Sequence, residues 1–176
     1  MVTAPIRPGL KAGVRTEFTV FARVRPGHER AIRQAIEDSF VDPRRDEAMK
    51  ELGTLHEARH VLFDDDTRYV FISSFDGDWD KYIEDFAGSY SGVVLDRVLG
   101  HCEGFPGLQD PGVKDWIAGQ EASAVGFAAA YPGATVRQVW RALAVERAFE
   151  QVLDDPAARP ALQAPALKPL LDLAGT

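Results

Sequence analysis

The sequence predicts an α+β fold in which an antiparallel sheet carries its helices on one face. Three observations predict it. Two β-rich runs, Leu55–Phe63 and 68–75, flank Asp64-Asp65-Asp66-Thr67, a polar turn of hairpin length. A strand pattern over 17–25 stops at Pro26-Gly27 and is followed at once by helical spacing. The same strand–Pro-Gly–helix order returns near the end, where Gly126-Phe-Ala-Ala-Ala-Tyr-Pro-Gly133 matches Val20-Phe-Ala-Arg-Val-Arg-Pro-Gly27 at Phe, Ala, Pro and Gly.

Each element has its own justification. Residues 1–15 hold two prolines and two glycines without periodicity and read as a flexible leader. In 17–25, Phe18, Val20, Ala22 and Val24 fall on one face, with Thr19, Phe21, Arg23 and Arg25 on the other. Ala31, Ile32, Ala35, Ile36 and Phe40 recur at helical spacing over 28–40. Asp42-Pro43 ends that helix, and 44–52 forms a second, closed by Gly53. After the hairpin, Trp79, Tyr82, Ile83 and Phe86 mark a third helix with Asp78 as its N-cap. Helical turns are expected at 93–99 and Val113–Gln120, separated by a Gly- and Pro-rich loop from His101. The second Pro-Gly unit supplies a closing strand before residue 131 and a helix beginning near Val136. The domain is thus expected over 16–153, with a Pro-, Ala- and Leu-rich arm over 154–176 lying on the body or on a partner.

Strand, helix, strand, hairpin strand, helix, strand, helix is a ferredoxin-like order. Helices on one face leave the other face of such a sheet to be covered, and Phe21 on that face argues for a second copy closing over it as a homodimer. In this order of elements over about 16–153 the chain resembles the dimeric α+β barrel superfamily. That group includes antibiotic-biosynthesis monooxygenases, EthD-like proteins, and chlorite dismutase-like and dye-decolourising peroxidase-like domains. His56-Glu-Ala-Arg-His-Val-Leu-Phe-Asp64, Ser74-Phe-Asp-Gly77 and His101-Cys-Glu-Gly-Phe-Pro106 resemble a pattern of bacterial members without an established reaction.

Composition removes whole classes. The chain has 176 residues, 19.3 kDa and a net charge of −7, with no basic stripe to neutralise phosphates, so nucleic acid is not an expected partner. A single cysteine forbids an internal disulfide framework and a cysteine zinc cage. The apolar stretch around 124–131 is far below the ~20 residues that span a bilayer, and no signal-peptide core opens the chain. A cytoplasmic protein without a membrane partner is expected.

The residues able to carry chemistry are few. His56 and His60 fall on one face of a strand about 13 Å apart, too far to share a metal unless a bulge intervenes, so no metal site is expected there. Either could act as a lone general base, with His56 favoured as the histidine of the resemblance pattern. Arg59 and Arg23 sit mid-strand, where a guanidinium is costly unless paired or turned to water; facing a cavity they would suit a carboxylate, an enolate or a propionate, and an ion pair with Glu57 or a neighbouring carboxylate is the favoured account. The resemblance implies haem as one option, with His101 as axial ligand; no cofactor is the other. Cys102 beside it is either a nucleophile or simply buried. Asp76-x-Asp78-x-Asp80 is no EF-hand, because Lys81 and Ala87 stand where glycine and the bidentate acid belong.

The reading favoured on these grounds is a small-molecule oxidoreductase, monooxygenase-like or haem-dependent. It would act on a hydrophobic or aromatic substrate in a barrel cavity, with His56, Arg59 and Arg23 as catalytic groups. A non-catalytic ligand-binding module, or a cofactor-free isomerase or cyclase using one histidine, are the alternatives.

Overall fold

The computed structural model describes residues 9–174. The chain forms two compact units, one ending at Val136 and the other beginning at Arg137. In the first, β1 (Lys11–Ala12), β2 (Arg15–Arg23), β3 (Leu55–Phe63) and β4 (Arg68–Asp76) make one antiparallel sheet in the order β1-β2-β4-β3. Helices α1 (Glu29–Val41), α2 (Arg45–Leu52), α3 (Trp79–Ala87), α4 (Tyr90–Leu99) and α5 (Val113–Gln120) complete it. The fold is α+β and ferredoxin-like, built on the β2-α1-β3-β4-α3 core.

Alternation places the core where the sequence puts it. Phe18, Val20, Ala22 and Val24 are all buried, whereas Phe21 on the other face of β2 is 45% exposed. From β4, Tyr69, Phe71, Ser73 and Phe75 face the same core. The apolar stripe of α3 meets them, and the Tyr82 ring stacks parallel on Phe75 with centroids 3.7 Å apart. Tyr82 Oη donates to Ser73 Oγ at 3.1 Å, so its hydroxyl enters the core with a partner.

Local signals explain most boundaries. Gly53 ends α2 in the left-handed conformation (φ 63°), its N–H closing on the Met49 carbonyl. The Ser89 side chain accepts the Gly92 N–H and caps α4. Asp78 occupies the N-cap position of α3, but its carboxylate pairs with Lys11 Nζ at 2.6 Å instead of capping. The hairpin turn holds Asp64, Asp65 and Asp66 at φ 51°, 52° and 64°, a conformation aspartate tolerates better than most residues.

The expected closing strand is absent. Residues 124–131 form no strand, although the helix after them, α6 (Val136–Asp154), is present. Three separate segments occupy the outer edge of β2 in its place. Near one end Glu17 N–H donates to the Leu10 carbonyl, in the middle Ala122 N–H donates to Thr19, and at the far end Glu103 N–H donates to Arg23 while Arg25 N–H reaches His101. Lys11 and Ala12, within the expected leader, thus belong to the sheet as β1. The Pro-Gly repeat marks a turn and a helix start, which do not require a strand before them.

In the second unit α6 is followed by 3₁₀ turns at Pro156–Ala158 and Pro165–Leu167 and by α7 (Arg159–Leu162) and α8 (Lys168–Ala174). Proline sits in the first turn of each short helical piece, where it lacks only a donor that would be unused. Among the described residues no helix is long and apolar enough to cross a membrane.

Phe75 has no exposed surface and stacks on Tyr82. Phe75→Ala is expected to lower unfolding free energy by about 3–5 kcal/mol in urea titration, while Val125→Ala, at a fully exposed position, changes it by less than about 0.5 kcal/mol.

Candidate active site

A cavity of about 120 Å³ lies between the sheet and helices α1, α2 and α4. Phe40, Met49, Leu55, Phe71, Phe86 and Leu95 supply much of its apolar wall, and Asp42, Arg45, His60, Tyr90, Ser39 and Ser91 its polar groups. A smaller apolar void of about 20 Å³ shares Phe71, Phe86 and Leu95 with it. The volume approaches the roughly 150 Å³ of an apolar cavity that accepts benzene, so one aromatic ring is the scale of guest it suits.

His60 is the histidine of the wall. Its Nδ1 lies 2.7 Å from Tyr69 Oη, and its ring packs against Phe71 and edge-on to Phe40. Burial lowers its pKa to about 4, so the imidazole is neutral at pH 7. Tyr69 is fully buried, which pushes its pKa well above the ordinary phenol value, with the Cys102 thiol adding to the effect. The phenol therefore keeps its proton and donates it to Nδ1, leaving the histidine's own proton on Nε2. His60 is thereby a fixed hydrogen-bond donor and a weak base.

At one side of the cavity Asp42 accepts from Arg44 and from Tyr90 Oη, and Arg44 also contacts Tyr90. The hydrogen bonds from Arg44 and Tyr90 hold the Asp42 carboxyl well below the usual carboxylate range. Asp42 is permanently ionised, and Arg45 brings a cation to the same wall.

The expected site residues are distributed differently. His56 is a bulge residue: Leu55 opposes Phe75 and Glu57 opposes Ser74, with nothing opposite His56. The bulge breaks the alternation that would set His56 and His60 on one face. His60 turns to Tyr69, while His56 Nε2 meets Asp76 Oδ1 at 2.8 Å. Asp76 Oδ2 accepts the Val136 N–H at 2.7 Å, so one carboxylate holds the histidine and the start of α6. This pair flanks an open groove lined by Lys11, Thr54, Asp78 and Lys81. Arg59 is exposed opposite Ile72, and Arg23 is exposed at the end of β2 opposite Arg68. Neither arginine lines the cavity, nor does His56.

His101 lies at the other end of the sheet. Asp76 opposes Arg15, whereas Cys102 bridges Val24, so nine residues of strand, roughly 30 Å, separate His56 from His101. His101 Nδ1 is 2.9 Å from Nδ1 of His28. Burial first, then His28 and Arg25 beside it, lower its pKa. A haem ligand needs a free ring nitrogen above an apolar slot. His101 lines none of the three cavities, and its neighbours are a histidine and an arginine, so these residues do not fit a haem pocket. Cys102 is 1% exposed with its pKa pushed up to about 12 by burial, an inert thiol rather than a nucleophile.

Sequence reasoning weighed His60 but favoured His56, counted Tyr69 and Phe71 among the strand aromatics able to line a pocket, and gave Asp42 and Arg45 no chemical role. The aromatic count of the strands was the available signal, since an imidazole among Phe40, Phe71 and Tyr69 is necessarily desolvated.

Among solved structures, the chain is similar to a protein proposed to be an antibiotic biosynthesis monooxygenase from Bordetella bronchiseptica, at 18% identity and a TM-score of 0.38, over 50% of this chain and 84% of that one. It is also similar to a NIPSNAP family protein from Agrobacterium tumefaciens, at 11% identity and a TM-score of 0.37, over 52% of this chain and 79% of that one. No family model and no curated protein matches the sequence.

A histidine held neutral in the fold but free to protonate when unfolded makes stability fall with acid. His60 stabilisation is complete above pH 6.5 and is lost as the pH falls toward 4, by on the order of 3 kcal/mol. Urea midpoints across that window are expected to show this slope, and His60→Phe to flatten it.

Proposed function

We propose that the protein binds a small phenolic or enolisable aromatic molecule in the cavity beside His60 and promotes its oxidation by dioxygen. The observation that carries this reading is a desolvated histidine 2.7 Å from the Tyr69 hydroxyl in the wall of an aromatic cavity; with that phenol as donor, the histidine's own proton sits on Nε2. Such a donor favours an anionic oxygen over the neutral hydroxyl at the same place. Arg45 adds positive charge on the same wall, and the apolar remainder lowers the local dielectric, which strengthens both effects.

The chemistry follows from the ion that the cavity favours. A hydroquinone anion, or an enolate conjugated with an aromatic ring, is electron-rich enough to reduce dioxygen directly once its proton has passed to solvent. Where a methylene becomes a carbonyl, one oxygen atom enters the product and the other leaves as water, so no external reductant is needed. His60 is here a positioning and stabilising group for the oxyanion, not the base, because its proton affinity is too low. His56 is assigned to the Asp76 junction, and Arg23 and Arg59 to the open face of the sheet. A ligand-binding module without turnover is the second reading, favoured by the lack of a strong base among the cavity residues.

The open face supports a homodimer of the α+β barrel type. Phe21 and Val61, 45% and 42% exposed, are in register on either side of Val70, which is itself buried, and form an apolar band on this face. A monomer gains nothing by leaving such a band in water.

Substituted phenols and hydroquinones are expected to raise the melting temperature of the protein and to be consumed with dioxygen at an oxygen electrode. His60→Phe should abolish oxygen uptake, and His56→Gln should retain it. Binding without uptake would select the binding-module reading, and no thermal shift with any of them would defeat both.

Light scattering is expected to give twice 19.3 kDa, and Phe21→Asp to return the monomer mass.

A further inference from the structure

Outside the cavity, two of the other three histidines, His28 and His101, bring their ring nitrogens together. We propose that His28 and His101 chelate a divalent transition ion of the copper(II) type through their Nδ1 atoms, with solvent in the remaining positions.

The separation of the donors is the first argument. Their Nδ1 atoms are 2.9 Å apart. Two imidazole nitrogens at ~2.05 Å from a metal stand about 2.9 Å apart when they subtend a right angle, and about 3.3 Å apart at a tetrahedral angle. The spacing is that of a hydrogen bond in the metal-free pair, and it lies within a few tenths of an ångström of what two adjacent positions on one ion require.

Preorganisation is the second. One residue fastens both histidines through its main chain: His28 N–H donates to the Arg25 carbonyl at 2.9 Å, and Arg25 N–H donates to the His101 carbonyl at 2.9 Å. His101 N–H also closes the end of α4 onto Val98, and the His28 carbonyl accepts Ile32 N–H in the first turn of α1. The two rings are brought together by a strand end, a helix start and a helix end, none of which needs to move for a metal to enter. Without metal the two Nδ1 atoms share one proton in a hydrogen bond, and a metal takes the place of that proton once the rings tilt to present both lone pairs to it.

The local chemistry selects the ion. Arg25 beside the pair repels cations held only by charge, which disfavours calcium and magnesium, whereas imidazole bonding to a softer ion survives it. Without metal one Nδ1 donates to the other. With metal the donor ring takes its Nε2–H form, so no net proton is released. Both rings are partly exposed. His56 and His60 each have an oxygen partner, Asp76 and Tyr69, whereas His28 and His101 are the two histidines whose ring nitrogens meet each other. Cys102 is turned into the core and adds no ligand. Among the described residues no group of three or more His, Cys, Asp or Glu could hold a metal, so solvent completes the coordination.

The test is calorimetric titration of tag-free protein with copper(II) sulfate near neutral pH, followed by electron paramagnetic resonance of the loaded protein. One copper per chain with a two-nitrogen hyperfine pattern is expected, bound more tightly than zinc. His28→Gln and His101→Gln, checked for folding by circular dichroism, should each weaken binding roughly tenfold or more and leave at most one of the two nitrogens in the spectrum. His56→Gln should change neither. Unchanged affinity or an unchanged nitrogen pattern in the His28→Gln/His101→Gln double variant would overturn the proposal, as would the absence of bound copper in the unaltered chain.

Discussion

The pairing of β2 with β4, unbroken from Arg15 opposite Asp76 to Arg23 opposite Arg68, is the constraint on which the rest of the molecule depends. Because side chains alternate strictly along it, one register assigns Phe18, Val20, Ala22, Tyr69, Phe71 and Phe75 to the helices and Phe21, Val70 and Ile72 to the other side. A slip of one residue would exchange the two sets. The same ladder fixes the long axis of the sheet, and with it the separation of the His56–Asp76 pair from the His28–His101 pair. Chemistry at the two ends cannot be pooled.

Where alternation is interrupted, function and fold part company. The extra residue at His56 frees one side chain from the face its neighbours obey, and the strand beyond it resumes with Ala58, His60 and Leu62 toward the helices. The bulge therefore delivers His60 to the aromatic cavity and sends His56 to a carboxylate that also receives the first N–H of α6. Burial then sets the character of each group. Desolvation makes His60 a neutral donor, Tyr69 a retained phenol and Cys102 an inert thiol.

Much of this was legible in the sequence, and the parts that were not share a cause. Strand β3 and helix α5 have the bounds that their patterns predict, and α2 ends at Gly53 as expected, because local periodicity and turn chemistry decide them. The closing strand failed because a short apolar run followed by Pro-Gly fits a strand or a loop equally well, and only the competition for the β2 edge decides between them. The bulge was not legible, since one extra residue leaves no mark in an alternating pattern yet separates two histidines that unbroken alternation puts on one face. The His28–His101 contact joins residues 73 apart and has no local signal at all. What sequence could say was the kind of wall; which titratable group stands in it is a tertiary fact.

The two borders of the sheet answer the same hazard by different means. A strand with a long run of unsatisfied amides invites another chain to extend the sheet, and the process can repeat without limit. Along β2 the run is cut into short pieces by segments around Leu10, Ala122 and Glu103, none long enough to be displaced as a unit by an incoming strand. Along β3 the border is bent at His56 and carries Glu57 and Arg59. Growth by lateral addition is thereby discouraged at both margins.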